Sequence, residues 1–171
     1  MKKFIATEVN NKRMLILGLG NNILTDDGIG SRLVGDLPQK IGNPEVCYNT
    51  ACCGGLEIIE YIKDFDKVVF IDAIRTNEGI PGDVYYFVPA DFQETSHLSS
   101  LHDVSFLTAL RLGNSLNLDL PSDLHIIAVE IIEDMEFSEE LTPELKEMYP
   151  EILEKVYETI NLIIGSEKSS L

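Results

Sequence analysis

The sequence predicts an α/β protein built on one mostly parallel sheet of five strands in the order 2-1-3-5-4, with strand four reversed. Three observations lead there. Apolar runs closing on glycine or an acid recur at residues 13–19 and 67–72, the pattern of strands buried on both faces. Helical spacings alternate with the strands to give β-α-β-α-β over the first half, as in parallel strands joined by helices. One connection, residues 73–82, is too short for the parallel crossover of about a dozen residues.

The first strand is residues 13–19, and it empties into a glycine-rich turn followed by two carboxylates, Asp26 and Asp27. Ile29, Leu33 and Leu37 then recur at helical spacing, and Pro38 is expected to end that helix. Residues 45–49 make a second strand, and Gly54-Gly55 opens a helix with Leu56, Ile59 and Ile62 on one face. Residues 67–72 form strand three. The connection after it holds Asn77, Gly79, Pro81 and Gly82 and no helical pattern, so residues 83–88 return antiparallel at a sheet edge. Leu101, Val104, Leu107 and Leu110 form a helical stripe with Ser100 as N-cap and Asp103 three residues later. Residues 124–129 are strand five. Thr142-Pro143 starts the last helix, which carries Ile152, Leu153, Val156, Ile160 and Ile163 inward and bends at Pro150.

This order has a consequence for chemistry. Strand four descends, so residues 89–99 must climb back, and extended they span about 36 Å, which suffices. The helix after them then descends to feed strand five. Its first turn, with His102, falls on the rim that also carries Asp27 after strand one and Asp72 closing strand three. Strands one and three are neighbours, about 4.8 Å apart. Two carboxylates and an imidazole are thus expected in one crevice.

The bulk composition narrows the partners. At 171 residues the chain fits one domain, 1–171, with an N-terminal extension at 1–12 and a tail at 166–171. A net charge of −16 argues against a nucleic-acid or anionic-membrane surface. Much of the acid lies late (Glu130, Glu133, Asp134, Glu136, Glu139, Glu140 and the glutamates to Glu158) and reads as a solvated loop and helix face. The basic start is too short for a signal peptide, and no segment reaches the ~20 apolar residues of a membrane helix. A cytoplasmic protein, with a monomer as the expected state, follows. Cys47, Cys52 and Cys53 form no disulfide framework and no CxxC pair; Cys47 and Cys52 read as small buried hydrophobes.

Gly18-Leu19-Gly20 invites a dinucleotide reading, which two positions oppose. Ile23 stands where the third glycine belongs, and Asn49-Thr50 replaces the acid after strand two. No Gly-Lys-Ser/Thr sequence offers a P-loop. Of Asp26 and Asp27, one can cap the following helix while the other faces the crevice. Asp72 closes an apolar strand, where a carboxylate needs a partner or a metal to offset desolvation. His102 has a rival in His97, and His125 starts a strand and reads as structural. Two carboxylates and a neutral imidazole suit a borderline divalent ion such as nickel, zinc or manganese.

The run from Gly18 through Asp26-Asp27-Gly28-Ile29-Gly30 closely resembles the opening motif of the nickel-iron hydrogenase maturation endopeptidases. Phe70-Ile71-Asp72-Ala73 followed by Pro81-Gly82 resembles their second acidic motif, Ser100-Leu101-His102-Asp103 their histidine motif, and Leu141-Thr142-Pro143 their C-terminal signature. The resemblance spans residues 13–165. It implies a three-layer α/β/α sandwich with an antiparallel edge strand. It also implies removal of a C-terminal extension from a hydrogenase large-subunit precursor once nickel is inserted, with Asp27, Asp72 and His102 contacting that nickel and Asp27 and Asp72 taking part in catalysis. The metal is then contributed by or shared with the substrate. Thr50-Ala51-Cys52-Cys53-Gly54-Gly55 departs from the family's acidic glycine turn, and residues 129–134 lack its frequent proline; both bear on substrate choice. A nucleotide- or flavin-binding module, a hydrolase of an unrelated peptide, and a non-catalytic binding protein are the competing readings.

Overall fold

A computed structural model describes residues 13–52, 55–89, 91 and 101–165, with the side chains of residues 101–107 outside the description. The elements run β1 (Met14–Leu19), a 3-10 turn (Thr25–Gly28), α1 (Ile29–Ile41), β2 (Val46–Ala51), a 3-10 turn (Gly55–Glu57), α2 (Ile58–Ile62), β3 (Lys67–Ile74), β4 (Val84–Phe87), α3 (Leu101–Ser115), β5 (Asp123–Glu130) and α4 (Pro143–Gly165). The sheet order is β2-β1-β3-β5-β4, as expected, with β1, β2, β3 and β5 parallel and β4 antiparallel to β5.

Alternation along the strands makes the three layers. Ile16, Val69, Ile71, Ile127 and Val129 face one side, where Leu33 and Leu37 of α1 and Ile152, Val156 and Ile160 of α4 close over them. Leu15, Leu17, Val68, Phe70 and Ile126 face the other, under Ile58 and Ile62 of α2 and Leu110 of α3. Burying such side chains contributes roughly 1.5–3 kcal/mol each before the entropy of ordering them is set against it.

Several details depart from the sequence reading. Pro38 lies inside α1; the helix runs one turn further and ends at Gly42, whose φ of 59° is the left-handed cap and whose N–H donates to Pro38 O. Leu56 is exposed and Ile58 is buried instead, because the 3-10 turn before α2 shifts the helical phase. Cys47 and Cys52 are exposed, since β2 is an edge strand and the five-residue α2 leaves its far face open. Glu130, read as a solvated acid, is buried. Residues 1–12, 90, 92–100 and 166–171, together with Cys53 and Gly54, lie outside the described residues, and so do the climb after β4 and the Ser100 cap. Among the described residues no helix is long and apolar enough to cross a membrane.

Candidate functional site

The site forms where β1 hands over to α1. Two glycines let the helix start directly on the sheet. A Cβ on Gly30 would lie 2.3 Å from Ile71 O and 2.4 Å from Leu19 O, and one on Gly18 would lie 2.5 Å from Gly30 O. Gly20 makes the turn itself, with a φ of 125° that L side chains rarely adopt. The glycine spacing thus serves close packing at Gly18 and Gly30 and a sharp turn at Gly20.

Thr25, at φ 44°, then reverses the chain just before the two acids. Such a conformation costs a non-glycine residue of order 1–3 kcal/mol and needs an anchor. Its hydroxyl donates to Glu136 O at 2.6 Å and its N–H to Ser138 O at 3.0 Å.

The two adjacent carboxylates have different surroundings. Asp26 is fully buried, at 0% exposure. Its Oδ2 accepts from Ile132 N–H (3.3 Å), Glu133 N–H (3.1 Å) and the Thr142 hydroxyl (3.0 Å), and its Oδ1 from Thr142 N–H (2.7 Å). It therefore ties the start of α1 to the β5–α4 loop and to the residue before α4. Asp27, at 9% exposure, accepts one hydrogen bond among the described residues, from Asn21 N–H to Oδ2 at 2.6 Å. Neither acid caps α1; the N-cap position is Gly28, without a side-chain hydrogen bond.

Asp72 does not end β3. The strand runs on to Ile74, paired with β5 as far as Glu130, while the ladder with β1 stops at Gly18–Ile71. Asp72 therefore lies just past β1's last pair, buried, on the sheet face covered by α2 and α3, and its Oδ1 accepts Ala73 N–H at 2.8 Å. Glu130, two strands from β1 at the same rim, was missed as a rim acid although it closes an apolar strand as Asp72 was expected to. Its carboxylate accepts Thr76 N–H at 2.5 Å and the Thr76 hydroxyl at 3.1 Å, pinning the β3–β4 loop.

His102 occupies the second position of α3. That helix is about 22 Å long at 1.5 Å per residue and runs toward the start of β5. It packs against the 3-10 turn that follows β2, so its N-terminal end lies toward the carboxyl rim of the sheet. The His102 side chain is outside the description, and His97 lies outside it altogether. Among the described residues no three His, Cys, Asp or Glu side chains are grouped to hold a metal ion. Asp27, in the turn after β1, and Asp72, within the neighbouring strand β3, are both buried and offer oxygen donors of the kind a borderline divalent ion accepts.

His125 is remote from this rim. It stacks on Tyr86 in β4, its Nδ1 is 2.8 Å from the Tyr86 hydroxyl, and its Nε2 is 2.9 Å from Asp123 Oδ1 but off the line of a hydrogen bond. Burial depresses its pKa, partly opposed by Asp123.

Comparison with known proteins gives a consistent set of relatives. A family model described as hydrogenase maturation protease matches residues 32–159. The chain is 33% identical over 151 residues to the hydrogenase 2 maturation protease of Escherichia coli K12, covering 84% of this chain and 88% of that protein. The solved hydrogenase maturating endopeptidase HybD of E. coli superposes with a TM-score of 0.67 at 28% identity, over 84% of this chain and 89% of that one. A nickel-iron hydrogenase maturation protease HybD from Thermococcus kodakarensis gives a TM-score of 0.65 at 27% identity, over 86% of this chain and 98% of that one.

Proposed function

The chain belongs to the hydrogenase maturation protease family, and from that premise we propose that it removes the C-terminal extension of a nickel-loaded hydrogenase large-subunit precursor. The observation that carries the site assignment is the division of labour between neighbours. Asp26 is consumed by four structural hydrogen bonds, which leaves Asp27 as the acid of this motif available to a substrate. Asp72 reaches the same rim from the neighbouring strand.

In this reading Asp27, Asp72 and His102 contact the nickel that the substrate brings, which sets the scissile peptide bond against the rim. Water adds to the scissile carbonyl carbon and the C–N bond breaks. One of the two carboxylates takes the water's proton and returns it to the leaving amine. The protein acts as a cytoplasmic monomer with a protein substrate.

The test is to mix the protein with nickel-loaded and with nickel-free precursor and measure the precursor's mass. Cleavage of the loaded form alone is expected. Unchanged mass in both would overturn the protease reading, and equal cleavage in both would remove nickel recognition. Asp27→Ala, Asp72→Ala and His102→Ala should each abolish processing, whereas His97→Ala should not.

A further inference from the structure

The loop between β5 and α4 is stitched to the turn before α1 along its length. Asp26 holds its start through the N–H groups of Ile132 and Glu133, and the Thr25 hydroxyl holds Glu136 O. At its far end Leu24 and Ser138 form a β-bridge, with Ser138 N–H donating to Ile23 O at 3.1 Å. Within the loop, Glu133 Oε1 accepts the N–H groups of Met135 (2.6 Å) and Glu136 (3.1 Å).

This fixed frame presents apolar side chains to water. Ile23 is 48% exposed, Met135 77% and Phe137 81%. Acids surround them. Arg75 pairs with Asp134 and Lys146 with Glu140, while Glu133, Glu136 and Glu139 carry no ion pair among the described residues. The patch adjoins the site, because Asp27 N–H donates to Leu24 O at 2.9 Å.

Met and aromatic side chains held out by a hydrogen-bonded loop gain little from folding, yet they are already ordered for burial against a partner. Protruding side chains call for a folded surface with a recess rather than a short extended peptide. The collar of acids selects a basic frame around that recess.

We propose that Ile23, Met135 and Phe137 form a docking ridge for the folded body of the protein substrate, which meets it with an apolar recess framed by lysine and arginine. Docking there brings the substrate's C-terminal segment to Asp27. This inference rests on the processing function proposed above and adds where, apart from the nickel, the enzyme grips its substrate.

The test measures initial processing rates against the concentration of nickel-loaded precursor for wild type, Met135→Asp, Phe137→Asp and Leu162→Asp, the last an exposed apolar position on α4. Direct binding of precursor is measured in parallel with the same substitutions placed in an Asp72→Ala background, which does not turn over. Each ridge variant should raise KM and weaken binding by about tenfold or more, with kcat within about twofold of wild type. Leu162→Asp should change neither, and added salt should raise the wild-type KM. Unchanged KM and binding in the ridge variants, with wild type active, would overturn the ridge and leave the protease reading standing. Precursor binding that the ridge variants lose, with no processing by wild type, would overturn the protease reading and keep the ridge. Neither binding nor processing by wild type would overturn both.

Discussion

Replacing each acid of the Asp26-Asp27 pair by its amide should give opposite phenotypes. In Asp26→Asn the amide oxygen can still accept Thr142 N–H, but the NH2 group then faces the Ile132 and Glu133 N–H groups. Two buried donors are left opposing a third. At about 1–3 kcal/mol for each unsatisfied buried donor, discounted because these contacts are long, the loss is about 3 kcal/mol. For a chain of this size that lowers Tm by roughly 6–12 °C. Asp27→Asn can offer its carbonyl oxygen to Asn21 N–H and should cost under about 1 kcal/mol, yet it should abolish processing. Urea unfolding with a thermal melt, alongside the mass assay for precursor cleavage, reads both effects. The reasoning is refuted if Asp26→Asn melts within about 2 °C of wild type, or if it loses processing with its stability intact while Asp27→Asn stays active.

Gly30→Ala forces a methyl group into the carbonyls of Ile71 and Leu19, so α1 must lift from the sheet; a loss of about 1–3 kcal/mol or more in urea unfolding and reduced processing are expected. Gly35→Ala, in the same helix with open space around it, should instead stabilise by about 0.5–1 kcal/mol, which separates the steric effect from helix propensity. Glu130→Ala removes both charge-assisted hydrogen bonds to Thr76 and should cost about 1–3 kcal/mol, with faster proteolytic cleavage in residues 75–83. Because the pKa of His125 is lower folded than unfolded, the unfolded chain takes the proton first on acidification. Its contribution is full above the unfolded value of about 6.5 and is lost as pH falls from there through the folded value; His125→Gln should flatten urea stability against pH in that window, and an unchanged slope would contradict this.

The sheet was legible because its signals are local. Residues 68–71 are apolar without a break, as in a strand buried on both faces, and the segment 73–82 is too short to cross over, which by itself reverses β4. The errors arose at the ends of elements, some of which are set by neighbours distant in sequence. Pro38 was read as a stop because proline removes a helix donor, yet the helix persists for one more turn and ends at Gly42. Asp72 was read as the end of its strand, but β5 continues alongside and carries Ala73 and Ile74 in the ladder. By the same criterion Glu130, closing β5, could have been singled out; its place in a long run of acids hid it.

The choice between Asp26 and Asp27 shows the limit in its sharpest form. Both acids lie in one turn, with the same chemistry and the same apparent claim on the helix after them. What separates them is the chain more than a hundred residues later, where Ile132, Glu133 and Thr142 aim their donors at one acid and not the other. A motif alone can place a carboxylate at a rim, but it cannot say which neighbour the fold has already used. Because Asp26 is spent on locking the β5–α4 loop, the motif has two roles: it sets Asp27 at the carboxyl rim of the sheet and holds the loop that carries Met135 and Phe137. Mutations at Asp26 should therefore loosen the ridge as well as the fold, raising KM for the precursor at temperatures where the protein is still folded. An Asp26→Asn enzyme that is less stable yet keeps a wild-type KM would separate these two roles.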